Sequence, residues 1–314
     1  MILDLGAIVM PVFLLIGAGY AAVRFKVFKS SGVDGLMVFT QNFAVPCLLF
    51  RGVADLDLAA AFDPRLLVSF FAGAALCFGL GILGARRLFR RRPGEAVAIG
   101  FGALFSNAVL IGLPIMERAY GAASLAPNFA IIALHAPFCY LVGITAMEFA
   151  RADGRSLAGT ARAVAGAMFR NALMIGIALG FAVNLGGVAL PGAVRAGVDM
   201  LAATALPAAL FGLGGILTRY ALRASLGEAG MVAVLSLVLH PAITYGLARG
   251  VFALPADLVR SAVITAAMAP GVNVYVFASL YSRGQAQAAS VVLLATAASV
   301  LTVAGWLALL GGLG

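Results

Sequence analysis

Ser106-Asn107-Ala108-Val109-Leu110-Ile111-Gly112-Leu113-Pro114 lies inside an apolar run over 95–117. That run reaches the roughly 20 residues a helix needs to cross a bilayer core. The stretch nevertheless carries a hydroxyl, an amide, a glycine and a proline, poor components for an uninterrupted helix. A mid-helix proline removes one intrahelical hydrogen bond and clashes with the preceding turn, at about 3 kcal/mol or more in water. Glycine beside it lets the chain unwind. Both facts are met by a membrane-crossing helix broken near its centre.

The rest of the chain has the same character. Of 314 residues 63% are hydrophobic and 11% charged, and the mean hydropathy is +1.08. A soluble domain carries about 25% charged residues. Apolar runs bounded by charges or turn residues predict ten transmembrane helices, at 5–23, 35–53, 66–88, 95–117, 125–148, 168–187, 197–217, 228–249, 257–280 and 288–311. The expected fold class is therefore an all-α polytopic membrane protein. The 38 glycines and 12 prolines suit that class, because neighbouring helices re-satisfy a broken backbone.

The net charge of +9 does not point to nucleic acid. Much of the excess sits beside apolar runs, as in Arg86, Arg87, Arg90, Arg91 and Arg92, where arginine faces anionic lipid and fixes topology. Counted with the span ends that adjoin them, connections after odd-numbered spans hold 15 of the 21 Lys and Arg, leaving 6 for the others. The odd connections are thus expected in the cytoplasm of a bacterial inner membrane, with both termini on the periplasmic side. The first span lacks the positive n-region of a signal peptide and has Asp4 there instead, so it is read as retained. Cys47, Cys77 and Cys139 lie singly in apolar runs, which excludes a disulfide framework or a zinc site.

An internal repeat is visible. Ala44, Pro46 and Phe50 of the second span recur as Ala205, Pro207 and Phe211 of the seventh, a shift of 161. The same shift carries 106–114 onto 267–275, which includes Ala269-Pro270-Gly271-Val272-Asn273-Val274-Tyr275. Each half thus has its most polar and most breakable centre in a corresponding place. Five spans per half is an odd number, so the second half inserts upside down. The domains read as 1–150, a first five-helix repeat, and 167–314, a second and inverted one. A short cytoplasmic linker, 151–166, joins them.

Two such breaks brought together expose free N–H groups at the starts of half-helices, whose positive dipole ends attract anions. Asn107 and Asn273 add uncharged amide donors and acceptors, and Ser106, Gly112, Gly271 and Tyr275 lie beside them. No acid lies clearly at the centre of a span, contrary to what a cation/proton antiporter requires. His135, two residues before Pro137, and His240, next to Pro241, lie within spans. Each is open to two readings: a bond to a carbonyl freed by the proline, or a proton or substrate contact. Gln41 and Asn42 face either a vestibule or the lipid headgroups. No glycine precedes lysine in a phosphate-loop pattern, and no metal-ligand or triad spacing occurs. An enzyme is not expected, nor a metal or cofactor.

Several stretches resemble the auxin efflux carrier family, in particular its bacterial members similar to malonate transporters. They are Pro11-Val-Phe-Leu-Leu-Ile-Gly17-Ala-Gly19-Tyr20, Asn42-Phe-Ala-Val-Pro46 with Leu48-Leu-Phe50, the 106–114 motif, and Pro270-Gly-Val-Asn273-x-Tyr-Val-Phe277-Ala-Ser279-x-Tyr281. The likeness runs over the whole chain, and the short linker fits the bacterial type. It implies two inverted five-helix repeats with crossed, broken helices 4 and 9, as in the bile-acid symporter and NhaA-like architecture. Helices 1, 2, 6 and 7 would form a scaffold that also dimerises, and helices 3–5 and 8–10 a transport domain. The family's crossover positions match Asn107, Pro114, Pro270 and Asn273. The implied function is alternating-access transport of a small organic anion, a carboxylate such as malonate or another dicarboxylate. The coupling ion, proton or sodium, stays open. A sodium-coupled bile-acid-type symporter and a ligand sensor that transports nothing are the alternatives.

Overall fold

The computed structural model describes residues 2–151, 171–220 and 225–311. The expected linker 151–166, apart from Arg151, and residues 168–170 of the sixth span lie outside the described residues. Among the described residues, seven helices are long and apolar enough to cross a membrane. They are α1 (Ile2–Arg24), α2 (Ser30–Ala54), α3 (Pro64–Arg87), α6 (Ala126–Arg151), α8 (Gly192–Leu217), α9 (Leu226–Val251) and α12 (Gln285–Gly311). They fall on the first, second, third, fifth, seventh, eighth and tenth apolar runs.

The other three runs take a different form. The fourth divides into α4 (Pro93–Leu104) and α5 (Leu113–Tyr120). The ninth divides into α10 (Ala256–Ala266) and α11 (Asn273–Leu280). The sixth is described as α7 (Ala172–Leu185), whose 14 residues rise about 21 Å.

Proline shapes these helices in a recurring way. Wide turns over Thr40–Ala44, Ala108–Gly112 and Leu235–Leu239 each end two residues before a proline: Pro46, Pro114 and Pro241. In each, the residue before the proline donates five residues back: Val45 to Thr40, Leu113 to Ala108 and His240 to Leu235. Widening the turn makes room for the pyrrolidine ring, at the cost of one regular bond. The carbonyl that Pro241 orphans is that of Leu237, and Trp306 Nε1 of α12 donates to it at 2.9 Å.

Polar contacts sort the helix ends into two rims. On the first, Arg219 after α8 reaches Asp34 (2.7 Å) and the Ser30 carbonyl (2.8 Å) of α2. There Arg91, ahead of α4, also reaches Glu228 at the start of α9 (2.7 Å). On the second, Arg118 of α5 donates to the Ala7 and Ile8 carbonyls of α1, and Arg195 of α8 pairs with Asp55 (2.7 Å). Asn184 of α7 caps the carbonyls of Val53, Ala54 and Leu56. Here too Asp63 caps α3, and hydrogen bonding from Arg65 holds its carboxyl below the ordinary carboxylate range.

Between the rims the helices approach closely through glycine. A Cβ on Gly19 would overlap the Phe211 carbonyl oxygen, and one on Gly214 the Ile16 carbonyl oxygen. α1 and α8 therefore meet backbone to backbone, the contact small residues permit in lipid. α7 packs on α2 likewise, with Gly176 against the Pro46 carbonyl and Gly180 against that of Phe50. Within the interrupted helices Phe101 of α4 stacks on Phe277 of α11 at 3.9 Å.

Candidate functional site

The two interruptions meet. Ser106 and Pro270 form an isolated antiparallel bridge. Asn107 N–H donates to the Ala269 carbonyl (2.8 Å) and Gly271 N–H to the Phe105 carbonyl (3.4 Å). Backbone freed by both breaks is thus partly satisfied by the other break. This is how irregular backbone persists at membrane depth.

Beside the bridge lies a cavity of about 240 Å³. Of the residues singled out in the sequence, Gln41, Asn42, Ser106, Asn107, His135, Gly271 and Asn273 line it. Asn171 and Tyr140 join them. Among the described residues of this lining there is no Asp, Glu, Lys or Arg. Four asparagines, a glutamine, a serine, a tyrosine and a histidine supply its polar groups.

Three helix starts open on this cavity. Asn107 caps the turn leading into α5, its Oδ1 accepting from Leu110 N–H at 3.3 Å. Asn171 caps α7, its Oδ1 accepting from Leu173 N–H at 2.9 Å. α11 begins at Asn273, directly after Val272 in the lining. The first N–H groups of a helix lack intrahelical partners, and its dipole is positive there. An uncharged wall of amides and N–H groups on three helix starts suits an anion.

His135 is buried, and its Nε2 lies 3.3 Å from Ser106 Oγ. His240 instead meets the Phe70 carbonyl of α3 (3.1 Å), with the Phe70 ring between the two histidines.

Other singled-out residues lie elsewhere. Pro270 forms the bridge without lining the cavity. Gly112 packs behind the wall, where a Cβ would come 3.3 Å from Met268 Cγ. Pro114 borders a separate cavity of about 450 Å³ with Arg51, Glu117 and Arg118, near the second rim. Tyr275 borders a cavity of about 530 Å³ with Arg219 and Tyr220, toward the first rim. That cavity shares Gln41 and Val272 with the central one. Asn171 escaped the sequence reading, although an asparagine directly before an apolar run is a helix-start signal. Among the described residues no cluster of three His, Cys, Asp or Glu side chains is placed to hold a metal.

The profile of the family described as "Membrane transport protein" matches residues 7–307. The chain belongs to this family, that of the auxin efflux carriers. As a family member it is a multi-pass membrane transport protein. A curated relative, the "Putative malonate transporter" of Rhizobium meliloti (strain 1021), is 27% identical over 312 residues, covering 98% of this chain and 96% of its own length. In this auxin efflux carrier homologue the bridge, and with it Asn42, Ser106, Asn107, Gly271 and Asn273 of the cavity lining, falls on the stretches by which the sequence resembles the family.

Proposed function

We propose that this chain is a secondary transporter carrying a small carboxylate, malonate or another dicarboxylate, across the bacterial inner membrane by alternating access. The observation that carries the reading is the convergence of three helix starts and four asparagines on one cavity at the bridge. At about 240 Å³ the cavity falls below the roughly 300–1,000 Å³ of drug-sized ligand sites, which favours a small anion over a bulky one. The name of the curated relative points the same way. With binding and movement as its whole task, the chain is a carrier and not an enzyme.

The architecture we propose has ten crossings in two inverted repeats, 1–150 and 167–314. The interrupted pairs α4–α5 and α10–α11 each count as one crossing. Support comes from a contact that recurs. Gly19 lies against the Phe211 carbonyl, and Gly180 against the Phe50 carbonyl. A shift of 161 turns either pair into the other. At the bridge the shift has drifted to 164, under which the two bridging hydrogen bonds exchange partners. The glycine-packed helices α1, α2, α7 and α8 serve as scaffold and dimer face, and the rest move as the transport domain.

Uptake of an anion against an inside-negative potential costs about 2.3 kcal/mol per charge per 100 mV, so uptake requires a coupled cation and efflux does not. The test is flux of labelled malonate and succinate into proteoliposomes under imposed potential, proton or sodium gradients, with Asn107→Ala/Asn273→Ala as control. Gradient-driven flux lost in the double variant is the expected result. A strict sodium requirement would favour the bile-acid-type reading. Binding without any flux would replace the carrier by a sensor.

A further inference from the structure

We infer that His135 is the proton-binding group of this carrier, protonated when a carboxylate occupies the cavity and deprotonated when it leaves. The inference rests on the carboxylate reading above and adds the coupling ion to it.

His135 is 4% exposed, lines the cavity, and touches Ser106 of the bridge through Nε2. Imidazole is the side chain whose charge ordinarily changes between pH 5 and 8. The other titratable group among the described lining residues is Tyr140, and a phenol titrates near pH 10 in water. The described groups facing His135 are otherwise neutral. From the bridge come Phe105, Ser106 and Asn107, and from α2 Gln41 and Asn42. From α3 comes Phe70, and from α7 Asn171. Cys139 lies one turn along its own helix, and His240 of α9 stands behind the Phe70 ring. His240 holds the Phe70 carbonyl and is absent from the lining, so a substrate in the cavity does not reach it.

Charge balance supplies the coupling. A carboxylate alone in this lining is an unpaired buried charge, and so is an imidazolium alone; each is costly. Together they neutralise one another. A proton from the aqueous phase adds to the imidazole nitrogen not turned toward Ser106, and the substrate keeps all its bonds. When the carboxylate leaves, the same nitrogen returns the proton to water on that side. Because Ser106 meets His135 and sits between Phe105 and Asn107, whose backbone groups make the two bridging hydrogen bonds, the charge change occurs where the two broken helices meet.

The experiment is calorimetric titration of the purified protein in nanodiscs with malonate, then succinate. Each titration is repeated in buffers of different protonation enthalpy near pH 7.5. The buffer dependence gives the protons taken up per anion bound without any substitution. Close to one is expected for the native protein, with affinity falling about tenfold per pH unit above the titration of the free imidazole. His135→Gln keeps an amide for Ser106 and is expected to bind without proton uptake and without pH dependence; His240→Gln should keep both. As the chain has 2 histidines, ring-labelled protein carrying no affinity histidines gives a second reading, in which malonate moves the His135 signal to its protonated position. Binding without proton uptake, uptake undiminished in His135→Gln, or movement of the His240 signal instead would each overturn the assignment and leave the carboxylate carrier standing. Absence of any malonate or succinate binding to the native protein would overturn the carboxylate reading and this inference together.

Discussion

Asn107 performs two tasks that substitution can separate. Its Oδ1 holds Leu110 N–H at the start of a helix, and its amide faces the cavity. Asn107→Asp keeps the shape and the capping acceptor, and aspartate caps about as well as asparagine. It also puts a carboxylate where the proposed anion sits, beside a lining with no described acid or base except imidazole and phenol. The expected result at pH 8 is a thermal midpoint close to native with malonate affinity at least about tenfold weaker, equivalent to about 1.4 kcal/mol. Asn107→Ala loses the cap instead, about 1 kcal/mol, and should lower both stability and binding. Thermal unfolding and binding isotherms on the two variants check this. Unchanged affinity in Asn107→Asp would remove Asn107 from the anion site.

At the scale of the element, proline writes the helices and other helices repair them. Pro241 leaves the Leu237 carbonyl without its own donor, and Trp306 supplies one. Trp306→Phe retains a ring of similar bulk but orphans that carbonyl, for about 1–3 kcal/mol. Pro241→Ala restores a backbone N–H in the same turn. The double variant should therefore be clearly more stable than the sum of the two single effects, a coupling that unfolding of the four proteins in mixed micelles measures. Much of this scale is legible in sequence, because proline and glycine act locally: both central breaks and seven of the cavity residues are read from 41–42, 106–107, 135, 271 and 273. Direction is less legible. Pro114 stands eight residues beyond Ser106, about 12 Å along a helix, and so reaches another cavity. Gly112 and Tyr275 belong to the right segments but face other neighbours. Asn171 was legible as a helix start, but its place beside the other asparagines was not, because its partners across the cavity are distant in the chain.

For the whole molecule, the open question is which rim faces the cytoplasm. The Arg91–Glu228 and Arg219–Asp34 pairs mark the first rim, the Arg195–Asp55 pair the second. In the sequence the connections after odd-numbered spans hold 15 of the 21 Lys and Arg; the described ones that follow α1 and α3 lie on the first rim, and such residues are retained on the cytoplasmic side. Val27 is 83% exposed in the turn after α1 on the first rim, and Val188 is 55% exposed after α7 on the second. With Cys47, Cys77 and Cys139 replaced, Val188→Cys in intact spheroplasts should react with a membrane-impermeant maleimide. Val27→Cys should react only after permeabilisation. The reverse pattern would put both termini in the cytoplasm, and with them the 530 Å³ cavity that abuts the binding cavity at Gln41 and Val272 would open to the outside. Reaction of both sites in intact cells would mean that the chain inserts both ways round. In the expected orientation the first-rim cavity would face the cytoplasm, and the proposed anion site would lie beside an inward-facing vestibule.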